Sequence, residues 1–145
     1  MFKSILVPVD GSKLSLKALD VADRLAATCA AKLTVMTASP DFPMIVGGEG
    51  YMVTPLSAKQ WDDATQKRAD SIQKQVTKQL KTTPYEFVVL TSDHPYSAII
   101  SVAKKQKCDL IVMASHGRRG LSALLLGSET SKVLTHSSIP VLVCR

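Results

Sequence analysis

The chain has 145 residues, 46% of them hydrophobic and 21% charged, with a formal net charge of +6 at pH 7. That size and balance fit one globular domain over residues 1–145 and exclude wholesale disorder. Apolar runs such as Leu110-Ile111-Val112-Met113 are far too short to span a bilayer. The dispersed lysines and arginines and the few aromatics argue against a nucleic-acid platform.

The N-terminus, Met1-Phe2-Lys3-Ser4, runs directly into a strand-like segment with no secretory signal pattern. The three cysteines, Cys29, Cys108 and Cys144, are widely spaced, with no metal-binding pattern. They are expected to be free thiols in a reducing, cytoplasmic setting.

Ser4-Ile5-Leu6-Val7-Pro8-Val9 is the first strand signal, and Asp10-Gly11-Ser12 reads as a turn in which Ser12 caps the following helix. In that helix Ala18, Ala22, Leu25, Ala26 and Cys29 recur at helical spacing, and the small side chains let it lie close to a sheet. Lys32-Leu33-Thr34-Val35-Met36-Thr37 is the second strand signal. The stretch from Ser39 to Leu56 then breaks the rhythm with prolines and glycines, as a lid or mobile loop does.

Ser57-Ala58-Lys59-Gln60 fits a capping box opening a long helix to about Leu80, before Pro84. Its basic residues alternate with Asp62, Asp63, Asp70 and glutamines, the signature of a solvated face. A third strand is expected over Glu86–Leu90 and a third helix over Pro95–Lys105, with proline tolerated in the first turn. Leu110–Met113 gives the fourth strand, and Ser128–His136 the fourth helix, with Thr130, Val133 and Leu134 on one face. Ile139–Cys144 supplies the last strand. Alternating strands and helices imply a parallel sheet with right-handed crossovers, and the continuously apolar first and fourth strands suit burial on both faces.

Chemistry concentrates between the fourth strand and fourth helix. Gly117 and Gly127 can take positive φ and let the backbone approach a ligand closely. The first N–H groups of the fourth helix, with its dipole, make an anion site. Ser115, Ser128 and Thr130 add hydroxyls, and Arg118 and Arg119 add cations. The plainer alternative is a β–α loop in which Ser128 merely caps the helix. Neither of the common Gly-rich phosphate patterns is present.

Gly117, nine residues, then Gly127-Ser128 resembles the nucleotide-binding loop of the universal stress protein family, whose ATP-binding members carry Gly-x-x-Gly, nine residues, then Gly-Ser/Thr. Ala114 takes the first glycine's place. The resemblance extends to Ile5-Leu6-Val7-Pro8-Val9-Asp10-Gly11-Ser12, to Cys108–Met113 and to Ile139–Val143, essentially the whole chain. Thr37-Ala38 stands where the family often has His-Val.

The resemblance implies an open doubly wound α/β sheet of five mainly parallel strands in order 3-2-1-4-5, with helices on both faces. It implies a site for ATP and Mg²⁺ where the first and fourth strands diverge. Pro8, Val9 and Asp10 would line the adenosine side, with Ala38 near the base. Met113, Ala114, His116 and Gly117 would face ribose and phosphates, together with Gly127, Ser128, Glu129 and Thr130. Glu129 is expected to offer its backbone N–H, because its carboxylate repels phosphate. Asp10 suits ribose hydroxyls or a water-mediated Mg²⁺ contact, beside its role in the turn.

His116 is read as a binding rather than a catalytic residue, His136 as structural, and His94 as a helix-start residue. The last strand has an apolar edge that a helix, a loop or a second copy must cover, and the resemblance implies that it pairs with its copy in a twofold homodimer. The implied role is stress response or regulation, with hydrolysis slow or incidental. The alternatives are a dimeric interaction module without nucleotide and a weak ATP-hydrolysing or adenylating enzyme.

Overall fold

The computed structural model describes residues 1–41, 57–80, 83–117 and 126–145. Along the chain run β1 (Ser4–Pro8), α1 (Lys13–Cys29), β2 (Lys32–Ser39), α2 (Ala58–Gln79) and β3 (Tyr85–Thr91). They are followed by α3 (Pro95–Lys105), β4 (Leu110–Ala114), α4 (Ser128–His136) and β5 (Val141–Cys144). The five strands form one sheet in order β3-β2-β1-β4-β5, and every neighbouring pair is parallel.

All five strands differ from their expected bounds by one or two residues, and the two-residue shifts, in β2 and β5, have hydrogen-bonding reasons. β2 continues to Ser39 because its ladder with β3 extends to the pair Ser39 and Thr91. β5 starts at Val141 rather than Ile139. Pro140 has no N–H to give, and it joins β4 only through its carbonyl, which accepts the Ile111 N–H at 2.9 Å.

Strand alternation divides the interior into two cores. Ile5, Val7 and Val9 meet α1 and α2 on one face with Leu19, Ile72 and Val76. Leu6, Met36, Ile111 and Met113 meet α3 and α4 on the other, with Ile99 and Val133. Removing each such fully buried aliphatic side chain from water contributes roughly 1.5–3 kcal/mol before the entropy of ordering it. Ala18, Ala22 and Ala26 are buried on α1, the small stripe that lets this helix lie against the sheet. α2 buries only Ala69, Ile72 and Val76, in keeping with its solvated face.

α4 departs from expectation at one position. Thr130 and Val133 are buried, whereas Leu134 is 42% exposed. One further residue turns the helix by about 100°, so the position after an inward Val133 leaves the buried stripe.

Asp109 fastens the end of the sheet away from the strand C-termini. Its carboxylate accepts the Lys3 N–H at 2.8 Å and the Ser4 N–H at 3.0 Å, while its own N–H donates to the Ser4 carbonyl at 2.9 Å. These bonds, led by that from Ser4, hold its carboxyl below the ordinary value of 3.8. No described helix is long and apolar enough to cross a membrane.

Candidate nucleotide site

β1 and β4 are neighbours, yet the helix that follows β1 joins one core and the helix that follows β4 joins the other. Their carboxyl ends therefore open a crevice, as at the switch point of any open α/β sheet. A cleft of about 740 Å³ lies there, within the range of small-molecule sites.

The β1 wall is shaped by a tight turn. Asp10 Oδ1 accepts the Ser12 N–H at 2.9 Å, and Ser12 Oγ caps α1 by accepting the Ser15 N–H at 3.1 Å. Gly11 makes the turn possible with φ +81°, a left-handed conformation that side chains resist. On the β4 wall, a Cβ placed on Gly117 would lie 2.7 Å from Asp10 Oδ2. The two strand ends thus meet through this carboxylate, and residue 117 has no room for a side chain unless Asp10 moves.

The segment after β4 is pinned at its base. Gly127 N–H donates to the Ser115 carbonyl at 2.8 Å, and Ser115 N–H donates to the Cys144 carbonyl at 2.7 Å. Thr130, itself buried, donates from Oγ1 to the Ala114 carbonyl at 3.0 Å. A Cβ on Gly127 would come within 3.1 Å of His116 Cα. Close backbone packing therefore crowds any side chain at Gly127, and its φ of −63° shows that the positive φ open to glycine is not used. Gly117 is likewise absent from the positive-φ positions, which among described glycines include only Gly11.

Ala114 ends a regular strand and has no positive φ. Alanine in place of the motif's first glycine costs nothing in backbone conformation here.

Helix ends distinguish the walls further. α1 is capped by Ser12 and α2 by the reciprocal Ser57–Gln60 box. α4 begins at an N-cap glycine, which has no side chain to satisfy the first N–H groups. Gly127, Ser128, Glu129 and Thr130 all line the cleft, so this helix brings donors and the positive end of its dipole to the crevice. The Glu129 carboxylate turns away from it. Oε2 accepts the Tyr96 N–H at 2.8 Å and Oε1 pairs with Lys132 Nζ at 3.0 Å.

Of the residues expected from sequence, Pro8, Val9, Asp10 and Ala38 line the cleft. So do Met113, Ala114, His116 and Gly117 with the four residues that open α4. Ser115 does not. It is buried behind the floor, where its Oγ lies 3.2 Å from His116 Nδ1. Arg118 and Arg119 lie outside the described residues, as does most of the Ser39–Leu56 stretch. His136 is structural, with Nδ1 2.8 Å from the Lys132 carbonyl. Burial pushes the thiols of Cys108 and Cys144 up, which disfavours the nucleophilic thiolate.

Sequence reasoning missed Met36, Pro40, Ser92, Asp93 and Ile99, together with Arg68 from α2. Arg68 had a signal: it precedes Ile72 and Val76 at four-residue spacing, a cation on the apolar stripe. Asp93 had none beyond its turn position. In the structure its Oδ1 accepts the Asp41 N–H at 3.2 Å, while Ser92 N–H donates to the Ser39 carbonyl at 2.8 Å. These bonds join the β3–α3 turn to the end of β2.

Among the described residues, no group of three or more His, Cys, Asp or Glu side chains is placed to hold a metal. The glycine contacts and uncapped helix donors suit a phosphate, and a metal ion would depend largely on oxygens that the phosphate itself supplies.

Comparison with known proteins matches the universal stress protein family model over residues 1–145. A universal stress protein of Thermus aquaticus is 32% identical, with both chains covered completely. A solved universal stress protein in complex with cAMP is 26% identical with a TM-score of 0.74, covering 99% of this chain and 97% of its own. The structure of MJ0577 from Methanocaldococcus jannaschii superposes with a TM-score of 0.80 at 24% identity, covering 99% and 96% of the two chains, a likeness of fold. With its whole length matched and its strand order the expected one, this chain belongs to the universal stress protein family.

Proposed function

We propose that this chain binds ATP with Mg²⁺ in the β1/β4 crevice and acts in stress response or regulation in the cytoplasm. The observation that carries the reading is the N-terminus of α4, which lacks a side-chain cap and opens into the cleft beside Gly117 and Asp10. Its N–H groups suit the phosphates, and Asp10 suits a ribose hydroxyl or a water of the magnesium shell. Pro8, Val9, Ala38 and Met113 offer an apolar setting for adenosine. The relative solved with cAMP supports an adenine nucleotide as the ligand class.

Magnesium would neutralise phosphate charge, held by the nucleotide and assisted by Asp10. His116 serves as a contact, and hydrolysis is slow or incidental. The protein works as a homodimer paired through Ile139–Cys144, a reading supported by the edge position of β5 and by Leu142, 40% exposed on it.

Isothermal titration with ATP and Mg²⁺ tests the site. Wild type should bind saturably, and Gly117→Val, whose Cβ would stand 2.7 Å from Asp10 Oδ2, should lose at least about tenfold in affinity, about 1.4 kcal/mol, while keeping a cooperative melt. A folded wild type that shows no saturable binding would overturn the reading in favour of a dimeric module without nucleotide.

A further inference from the structure

α3 starts without a cap of its own. His94 makes no side-chain capping bond, and Pro95 has no N–H. The next donor, Tyr96 N–H, is taken by Glu129 Oε2 at 2.8 Å, from the first turn of α4. The other carboxylate oxygen holds Lys132 Nζ at 3.0 Å, and that ammonium stands 5.4 Å from the centre of the Tyr96 ring. One carboxylate therefore joins the first turns of two helices, and both turns border the cleft: Ser128 and Thr130 on one side, Asp93 and Pro95 on the other.

We propose that Glu129 is a positioning residue for the phosphate end of the site, fixing the N–H groups of α4 against the wall formed by the start of α3. The inference rests on the nucleotide reading above. Charge alone predicts the opposite effect on binding: a carboxylate in the first turn of a phosphate-binding helix repels the ligand, and its removal should tighten ATP. The positioning role predicts that removing the side chain weakens ATP, because donors aimed by the inter-helix bond lose their fixed spacing. The sign of the change separates the two.

ATP with Mg²⁺ and, separately, adenosine are titrated into wild type, Glu129→Ala and Glu129→Gln, with a thermal melt of each. Glu129→Ala should lose about tenfold in ATP affinity while adenosine, which has no phosphate, stays within about twofold. Glu129→Gln keeps an acceptor for Tyr96 N–H without the charge and should bind ATP at least as tightly as wild type.

The proposal is overturned if Glu129→Ala binds ATP as well as or better than wild type. It is also overturned if that variant loses ATP and adenosine alike as its melting temperature drops. A wild type that binds neither ligand sinks the nucleotide reading itself, whereas a binding wild type with an indifferent Glu129→Ala sinks the positioning role alone.

Discussion

Asp10 accepts the Ser12 N–H through one oxygen, and a Cβ on Gly117 would lie 2.7 Å from the other, so the two glycines near it are constrained for different reasons. Gly11 is needed for its handedness, Gly117 for its lack of volume. Gly11→Ala would force a side chain into φ +81°, with ordinary contact to Ile72 at 3.4 Å. The cost is then one of conformation, roughly 1–2 kcal/mol. A lower unfolding midpoint in thermal or urea denaturation checks this, and an unchanged midpoint would show that the turn relaxes.

Sequence located the loop glycines, but the positive φ open to them is used at neither, and the crowding around them comes from protein atoms. Residue type shows that a position tolerates no Cβ, but not whether φ or a neighbour 3 Å away forbids it. His116 was legible because it lies within the motif, and Asp10 because the resemblance sets the end of β1 beside the end of β4. Arg68 left a trace in the apolar spacing of α2 that was not followed, and Asp93 left none beyond its turn, because folding alone brings the β3–α3 turn to the cleft.

Helices were the most legible elements, since their starts carry local chemistry. Ser12 and the Ser57–Gln60 box cap α1 and α2 as expected, and Pro95 opens α3. The cap that sequence could not supply is the one that crosses between helices, from Glu129 to Tyr96, because no spacing rule joins residues 33 apart.

The Asp109 staple between β1 and β4 carries a pH prediction. Its folded pKa is depressed by the Ser4 and Lys3 N–H groups, so its stabilising contribution is complete above the ordinary value of 3.8. That contribution fades as the pH falls through the lower folded value. Asp109→Asn should therefore melt below wild type at neutral pH, and the gap should close in acid. A gap that stays constant down to acid unfolding would mean that the charge on Asp109 contributes nothing.

For the molecule as a whole, strand order could be inferred only through family resemblance. Alternating strands and helices allow several doubly wound orders, and no single segment selects 3-2-1-4-5 among them. The proposed homodimer is tested at the edge strand β5. Leu142 is 40% exposed on β5, at the edge of the sheet, where a strand is open to pairing with another chain. Sedimentation equilibrium should give twice the 15.6 kDa chain mass, and Leu142→Asp, which sets two like charges near a twofold axis, should shift the protein toward monomer. A wild-type monomer at micromolar concentration would remove the dimer from the account.

Ala114 matters beyond this chain. A text pattern that insists on glycine there would discard a sequence whose backbone runs as straightforward strand at that point. Surveys that treat that letter as a backbone requirement impose a conformational demand that this polypeptide does not make. The geometry instead pairs distant letters, glycine at 117 with a carboxylate at 10, because a Cβ at 117 would stand 2.7 Å from Asp10 Oδ2 and displace it.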